Sequence, residues 1–311
     1  MAFFTGKIIF VIVAWALMTV ALLYPNSIHA QCEPMQFANV NGRAVAYHIL
    51  GNASTTPLVF INGGPGVDHT FHHLSKTWQQ LARSRRIVFF DQPGTGKSWP
   101  VGTTDSLGID DLLLSVEAIR NSINASRISL IGHSWGGYVA LAYALRYPQR
   151  VERLVLVSSV APKISTTTFL FGSLFPEVQA ERRKLRADNP ADVQKYIRLS
   201  LAMSFYSPKV CNQILKKLGV INVAKYNGHQ ENLLWKDAER HDLSNDLKLI
   251  TIPVLVTTGR YDANIAPRTS WAIHQAIKGS QFVVFERSGH FPMIEEPHRF
   301  FTVINMFLRG L

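Results

Sequence analysis

The sequence predicts an α/β protein built on a mostly parallel, doubly wound sheet that is interrupted once by a helical insertion. Three observations carry this reading. Short unbroken apolar runs alternate with longer stretches of helical periodicity, as expected for strands covered on both faces. The alternation stops between residues 163 and 250, where only helical patterns remain. A Gly-x-Ser-x-Gly pentapeptide, Gly132-His133-Ser134-Trp135-Gly136, falls where one apolar run gives way to a helix.

Residues 1–30 carry one charge, Lys7, ahead of an apolar run over 8–23 that Pro25 and Asn26 close. Ala30 supplies a small residue at a cleavage position. This is the pattern of a signal peptide, which makes the expected protein exported, periplasmic or secreted. The alternative is an uncleaved anchor, although the 16-residue run is slightly short of a bilayer span. Membrane contact is expected only in that case. Cys32 and Cys211 are the two cysteines, too few for a disulfide scaffold or a cysteine-built zinc site. Export would permit a bridge between them.

Segments 36–40 and 43–49, joined by Asn41-Gly42, read as a hairpin. Apolar runs at 58–61, 87–90, 128–131, 154–157, 254–256 and 282–285 read as buried strands, with helices expected over 70–83, 109–124, 135–147, 267–278 and 297–309. In the last of these, Phe300, Phe301, Ile304, Phe307 and Leu308 recur at helix spacing. The 88 residues of 163–250 are too many for a structureless loop and divide into helices at 177–187, 191–203, 208–218 and 230–241. The expected organisation is therefore a core of 31–162 and 251–311 with a helical cap, 163–250, on the carboxyl edge of the sheet.

Composition narrows the function classes. With 47% hydrophobic and 17% charged residues, the chain is neither disordered nor collagen-like. Lys and Arg number 32 against 21 Asp and Glu, a net +11 spread along the chain rather than gathered in a tail. Such a surface favours anionic surroundings. No nucleic-acid reading element accompanies it, so no nucleic-acid partner is expected.

The chemistry starts at Ser134. A sharp strand-to-helix turn exposes this hydroxyl, and glycines two residues either side relieve the crowding. A serine hydroxyl is a poor nucleophile until a base takes its proton, and that base must be held in one tautomer. Asp262, in Gly259-Arg260-Tyr261-Asp262, and His290, in Ser288-Gly289-His290-Phe291, both follow predicted strands, where α/β sites gather. A lone Asp in a turn is ordinarily a cap, and a lone His an ordinary core or surface residue. The order Ser, Asp, His and the strand-end placement select these two. Asn62-Gly63-Gly64-Pro65-Gly66 follows strand 58–61 and can bring a backbone N–H to a developing oxyanion. The N–H groups of Gly64 and Trp135 are the preferred pair, with Gly63 in reserve.

Other patterns fail on spacing. Gly94-Thr95-Gly96-Lys97-Ser98 ends like a phosphate loop, but Asp91 stands where the first glycine is required. Gly64 and Gly66 lack the third glycine of a dinucleotide fingerprint, since position 69 is His. His69, His72 and His73 have no carboxylate or further His at a recognisable ligand spacing. Neither a metal nor a cofactor is expected.

Together these motifs resemble the α/β-hydrolase superfamily over residues 36–311. Within it, Asn62-Gly63-Gly64-Pro65-Gly66 is similar to the His-Gly-Gly-Pro-Gly loop of the proline iminopeptidase family, and Asp91-Gln92-Pro93-Gly94-Thr95-Gly96-Lys97-Ser98 to its Asp-Gln-x-Gly-x-Gly-x-Ser segment. The resemblance implies an α/β-hydrolase fold with a cap, removal of an N-terminal residue from a short peptide without a metal, and carboxylates that hold the substrate's free amine. Asn227-Gly228-His229-Gln230-Glu231 matches that family's Asn-Gly-x-x-Glu stretch and carries over Glu231 as a substrate-binding residue. Asn62 replaces the family's usual His, and Ala263 stands where some members have a second Glu. An esterase or lactonase using the same machinery on small acyl substrates is the alternative. An inactive binding protein on this fold would have no need of Ser134, Asp262 and His290 together.

Overall fold

The computed structural model describes residues 34–70, 75, 77–102, 104–186, 189–218 and 227–311. The expected signal segment 1–30 and Cys32 lie outside them, and Cys211 is a buried free thiol. Strands β1 (Gln36–Val40) and β2 (Arg43–Leu50) form an antiparallel hairpin. Asn41 and Gly42 join them at φ 52° and 84°, the positive φ at both central positions that a type I′ turn requires. Strands β3 (Leu58–Ile61), β4 (Ile87–Phe90), β5 (Ile128–His133), β6 (Val151–Val157), β7 (Val254–Gly259) and β8 (Gln281–Phe285) complete the sheet. Its order is β1-β2-β4-β3-β5-β6-β7-β8; β2 pairs antiparallel with β4, and every pairing from β4 to β8 is parallel.

All four residues of β3 and of β4 are buried, because helices cover both faces of the sheet. Along the chain these helices are α1 (Thr77–Leu81), α2 (Ile109–Ser122), α3 (Trp135–Arg146), α4 (Phe171–Leu174), α5 (Pro176–Arg182), α6 (Pro190–Ser204), α7 (Pro208–Leu218), α8 (Gly228–Ala238), α9 (Pro267–Ala276), α10 (Pro292–Glu295) and α11 (Pro297–Arg309). Between β6 and β7 every described regular element is helical. Trp78, Trp135, Tyr138, Phe60 and Phe89 are among the largest fully buried side chains, and they lie against or within the central strands.

Several boundaries differ from expectation by one to three residues or more, three of them as follows. Of the helix expected over 70–83, only Thr77–Leu81 is described as α-helix, with 71–74 and 76 outside the described residues. The helix expected over 177–187 ends at Arg182. Here the chain is already turning toward α6: the Arg186 N–H donates to Asp192 Oδ2 at 3.1 Å, and Asn189 caps the next helix by accepting from Ala191 and Asp192. Strand β6 starts at Val151 rather than 154. Its half-buried Glu152 and Arg153 interrupt the apolar run, yet Glu152 accepts the Thr56 hydroxyl at 2.5 Å and Arg153 lies over the Phe307 ring at 5.6 Å.

Candidate active site

The parallel strands end on one edge, and the chain turns there carry the candidate residues. Pairing of Ile61 with Gly132 sets β3 beside β5, so the loop after β3 and the turn after β5 emerge together. Ser134 occupies that turn at φ 55° and ψ −120°, a conformation costly for any non-glycine residue. Its surroundings hold it there. The Ser134 N–H donates to Val157 O at 2.9 Å, and its carbonyl accepts from Gly137 and Val160. A Cβ on Gly136 would collide with the Ile61 carbonyl, and one on Gly132 with the Gly136 carbonyl. Only glycine lets the backbones pass this closely.

Asp262 follows β7 and His290 follows β8. His290 Nδ1 lies 2.8 Å from Asp262 Oδ2, while Asp262 Oδ1 accepts the N–H groups of Asn264 and Ile265 at 3.0 and 2.9 Å. This network orients the carboxylate and assigns the imidazole proton to Nδ1, which leaves Nε2 as an acceptor. The His290 backbone is fixed as well: its N–H donates to Ser204 O at 2.7 Å and its carbonyl meets His133 Nε2 at 2.9 Å. Glu295 Oε2 accepts from Gly289 N and Oε1 from Ser207 N, so one carboxylate grips both the His290 loop and the chain after α6. Burial pushes the Glu295 carboxyl up to about 7, against the opposing pull of those backbone donors.

Ser134 and His290 line one cavity of about 460 Å³. No hydrogen bond joins their side chains. Such bonds are often long in apo sites and tighten only when substrate is bound.

Gly63 and Gly64 line the same cavity. A Cβ on Gly63 would come within 2.7 Å of Ser134 Cβ, whereas one on Gly64, at φ +60°, would meet only Val67 Cγ2 at 3.4 Å. Neither the Gly64 nor the Trp135 N–H has a backbone acceptor among the described residues. Asn62 braces this loop from below. Its amide nitrogen donates to Gly63 O at 3.2 Å and Val67 O at 3.0 Å. Gln92 Nε2 in turn donates to Asn62 O and Oδ1, and Gln92 Oε1 accepts the Trp135 indole N–H at 3.3 Å. One buried side chain thereby ties the loop after β3 to the start of α3. Beside it, Asp91 Oδ1 lies 2.6 Å from His69 Nδ1, and Asp91 Oδ2 accepts the Lys97 N–H at 2.8 Å. Burial alone would raise the Asp91 carboxyl, but these donors outweigh it and hold the group below the usual carboxylate range. The segment 91–98 is thus a scaffold for the site, not a phosphate cradle.

Glu231 lies in the first turn of α8 and lines the cavity. The Asn227 N–H donates to Gly66 O at 2.8 Å and its side chain to Gly94 O at 3.0 Å, which docks the start of α8 on the glycine loop. The Trp235 indole N–H donates to Glu231 Oε1 at 3.4 Å, and the Trp235 ring meets Trp135 with centroids 4.8 Å apart. Ala263 packs instead with Phe171 and Met203 in a small apolar cluster.

The structure adds two charged residues that the sequence did not mark, Asp68 and Arg182, both on the cavity wall. Asp68 stands two residues after the Asn62–Gly66 loop, a proximity that could have flagged it. Arg182 sits in a run of basic residues and has no motif around it.

Three comparisons with known proteins bear on this geometry. Residues 56–297 match the alpha/beta hydrolase fold family. The chain is 29% identical over 299 residues to a proline iminopeptidase of Heyndrickxia coagulans, covering 88% of this chain and 98% of that protein. It is 30% identical over 275 residues to a proline iminopeptidase of Saccharolobus solfataricus, covering 84% and 87% respectively. Among solved structures, an esterase from Rhodococcus sp. ECU1013 superposes with a TM-score of 0.75 at 21% identity, over 90% of this chain and all of that one, a likeness of fold.

Proposed function

The chain belongs to the α/β-hydrolase superfamily, within which it resembles the proline iminopeptidases, and from that premise we propose that it is an exported serine hydrolase acting as an aminopeptidase. The observation that carries the reading is the Asp262–His290 pair at 2.8 Å, opening on the cavity that also holds Ser134 at the strained elbow. In this reading His290 Nε2 takes the Ser134 proton as Oγ attacks the substrate carbonyl. Asp262 stabilises the imidazolium through Nδ1. The N–H groups of Gly64 and Trp135 hold the oxyanion. The imidazolium then protonates the leaving amine, and water, deprotonated by His290, releases the acyl group from Ser134. No step calls on a metal or cofactor.

Glu231 supports the aminopeptidase reading, because a free ammonium entering this cavity needs a partner. Relatives of nearly the same length that are named proline iminopeptidases support it too. An esterase or lactonase is the second reading, favoured by the apolar wall of Val160, Phe169, Phe171, Ile197, Leu201 and Phe291. A side-by-side assay of aminoacyl amides, their N-blocked counterparts and simple esters decides between them. Cleavage of esters alone would establish the second reading.

Export rests on the N-terminal pattern. Mass spectrometry of secreted protein should find a chain beginning at Gln31. An intact segment 1–30 in the membrane fraction would make it an anchored enzyme.

A further inference from the structure

The cavity is charged at two separate places. Asp68 and Glu231 stand beside the glycine loop and α8, whereas Arg182 ends α5 among the residues that cover the site. The Arg182 guanidinium carbon lies 4.3 Å from the Tyr196 ring centroid and 5.6 Å from that of Phe171. Its Nη1 donates to Gln179 Oε1 at 2.7 Å, and its buried Nε donates to nothing. Among the described residues no carboxylate comes within ion-pair distance of it. The Tyr196 and Phe171 rings lie within cation–π reach of this half-buried fork without neutralising it.

Resting on the serine-hydrolase reading, we infer that Arg182 is a specificity residue for a carboxylate carried by the substrate. A guanidinium presents five donors in a planar fork that matches a carboxylate bidentately. This one is half-buried on the wall of a largely apolar cavity with no carboxylate of the chain to neutralise it, so a ligand's carboxylate finds a charge-assisted partner there. The nucleophile shares that cavity with Arg182 and with the two acidic side chains. A substrate with an amine for Glu231 and a carboxylate for Arg182, on opposite sides of the scissile bond, satisfies both charges at once. That describes a short zwitterionic peptide, and a cavity of about 460 Å³ is on the scale of a dipeptide. If the chemistry is ester cleavage instead, the same fork selects an acyl group bearing an acid.

The test compares paired substrates that differ only in that carboxylate. One pair is prolyl-glycine and prolyl-glycinamide, and the other is monomethyl and dimethyl succinate. The readout is the ratio of kcat/KM within each pair, for wild type, Arg182→Met and Arg182→Lys. Met keeps an apolar stem against Tyr196 and Phe171, and Lys keeps the charge without the fork. Arg182→Met should lower the ratio by about 10- to 100-fold, mainly through KM, the range for a hydrogen bond to a charged group. Arg182→Lys should fall between, and it alone tests the idea if the Met protein does not fold. Succinate should inhibit the wild type competitively and Arg182→Met far less. If neither variant shifts either ratio, the residue is only a cap-packing element and the inference is wrong. A wild type that cleaves the succinate esters but no prolyl substrate removes the aminopeptidase reading, while the ester ratio still decides Arg182.

Discussion

Asp262 Oδ2 and His290 Nδ1 meet at 2.8 Å with both side chains sealed from solvent. A carboxylate placed there fixes the tautomer that leaves Nε2 able to take a proton. Asp262→Asn keeps the shape but offers an amide, which stabilises the wrong tautomer and no imidazolium. By analogy with known triad enzymes, kcat should fall by about 10⁴-fold. Ser134→Ala should lose turnover by several orders of magnitude with its thermal unfolding unchanged. Labelling by a fluorophosphonate should vanish with it. Persistent labelling of Ser134→Ala at the same site would remove Ser134 from the mechanism.

Gln92 touches no reacting atom in this scheme, yet it joins Asn62 to the Trp135 indole. Gln92→Ala should let the Gly63-Gly64 loop drift from its place near Ser134. The expected signature is a lower kcat with little change in KM, because the oxyanion forms only after binding. The loss should be smaller than the ~10²–10³ for deleting an oxyanion donor outright. A rise in KM at constant kcat would show that the loop binds substrate rather than the oxyanion.

The central sheet was legible because its strands are buried on both faces. Runs such as Leu58–Ile61 and Ile87–Phe90 are unbroken by polar residues, so periodicity and boundary coincide. Where a strand begins with half-buried polar residues, as β6 does at Glu152 and Arg153, the apolar signal starts late. Ser134, Asp262 and His290 could be named because each lies at a strand end, in a fixed chain order. Asp68 and Arg182 could not. They reach the cavity from a loop and from a helix more than a hundred residues later, and no spacing along the chain encodes that meeting. The role of segment 91–98 was also hidden, since the hydrogen bonds that make it a scaffold run to Asn62, His69 and Trp135.

Glu295 gives a pH-dependent stability of definite sign. Burial pushes its carboxyl up to about 7 in the folded protein, from about 4.5 for a free glutamate side chain. Between those values the folded state holds a proton that the unfolded chain has released. Stability therefore falls as pH rises through that window, by at most about 3 to 4 kcal/mol at ~1.4 kcal/mol per pKa unit. Neighbouring Glu296 pushes in the same direction. Urea unfolding at pH 5 and pH 8 should show a steeper loss in wild type than in Glu295→Gln, which cannot ionise. The variant should also be less stable at pH 5, since its NH2 replaces one of the two oxygens that accept from Ser207 N and Gly289 N and would face an N–H donor. Equal slopes in the two proteins would place the titration elsewhere.

The riskiest expectation concerns Glu231, because its position serves two ends. In the first turn of α8 its charge favours the helix N-terminus, worth ~0.3–1 kcal/mol. On the cavity wall it also faces the space where a substrate amine would lie, with the Trp235 indole donating to Oε1. The two roles separate by substrate. Loss of a helix-end charge alters every substrate alike, whereas loss of an ammonium partner penalises only free-amine substrates. The measurement is the kcat/KM ratio of prolyl-glycinamide to an ester of N-acetylproline, in wild type and in Glu231→Gln. Gln is nearly isosteric and keeps an acceptor for Trp235, so the change removes charge without leaving a hole. The ratio should drop by an amount equivalent to roughly 1.5–3 kcal/mol, the usual worth of a hydrogen bond to a charged group. Raising ionic strength should weaken the wild-type preference only slightly, because a pair formed inside a cavity is poorly screened. Equal losses on both substrates would mean that Glu231 holds α8 against the glycine loop, and the amine would then have to be read by Asp68.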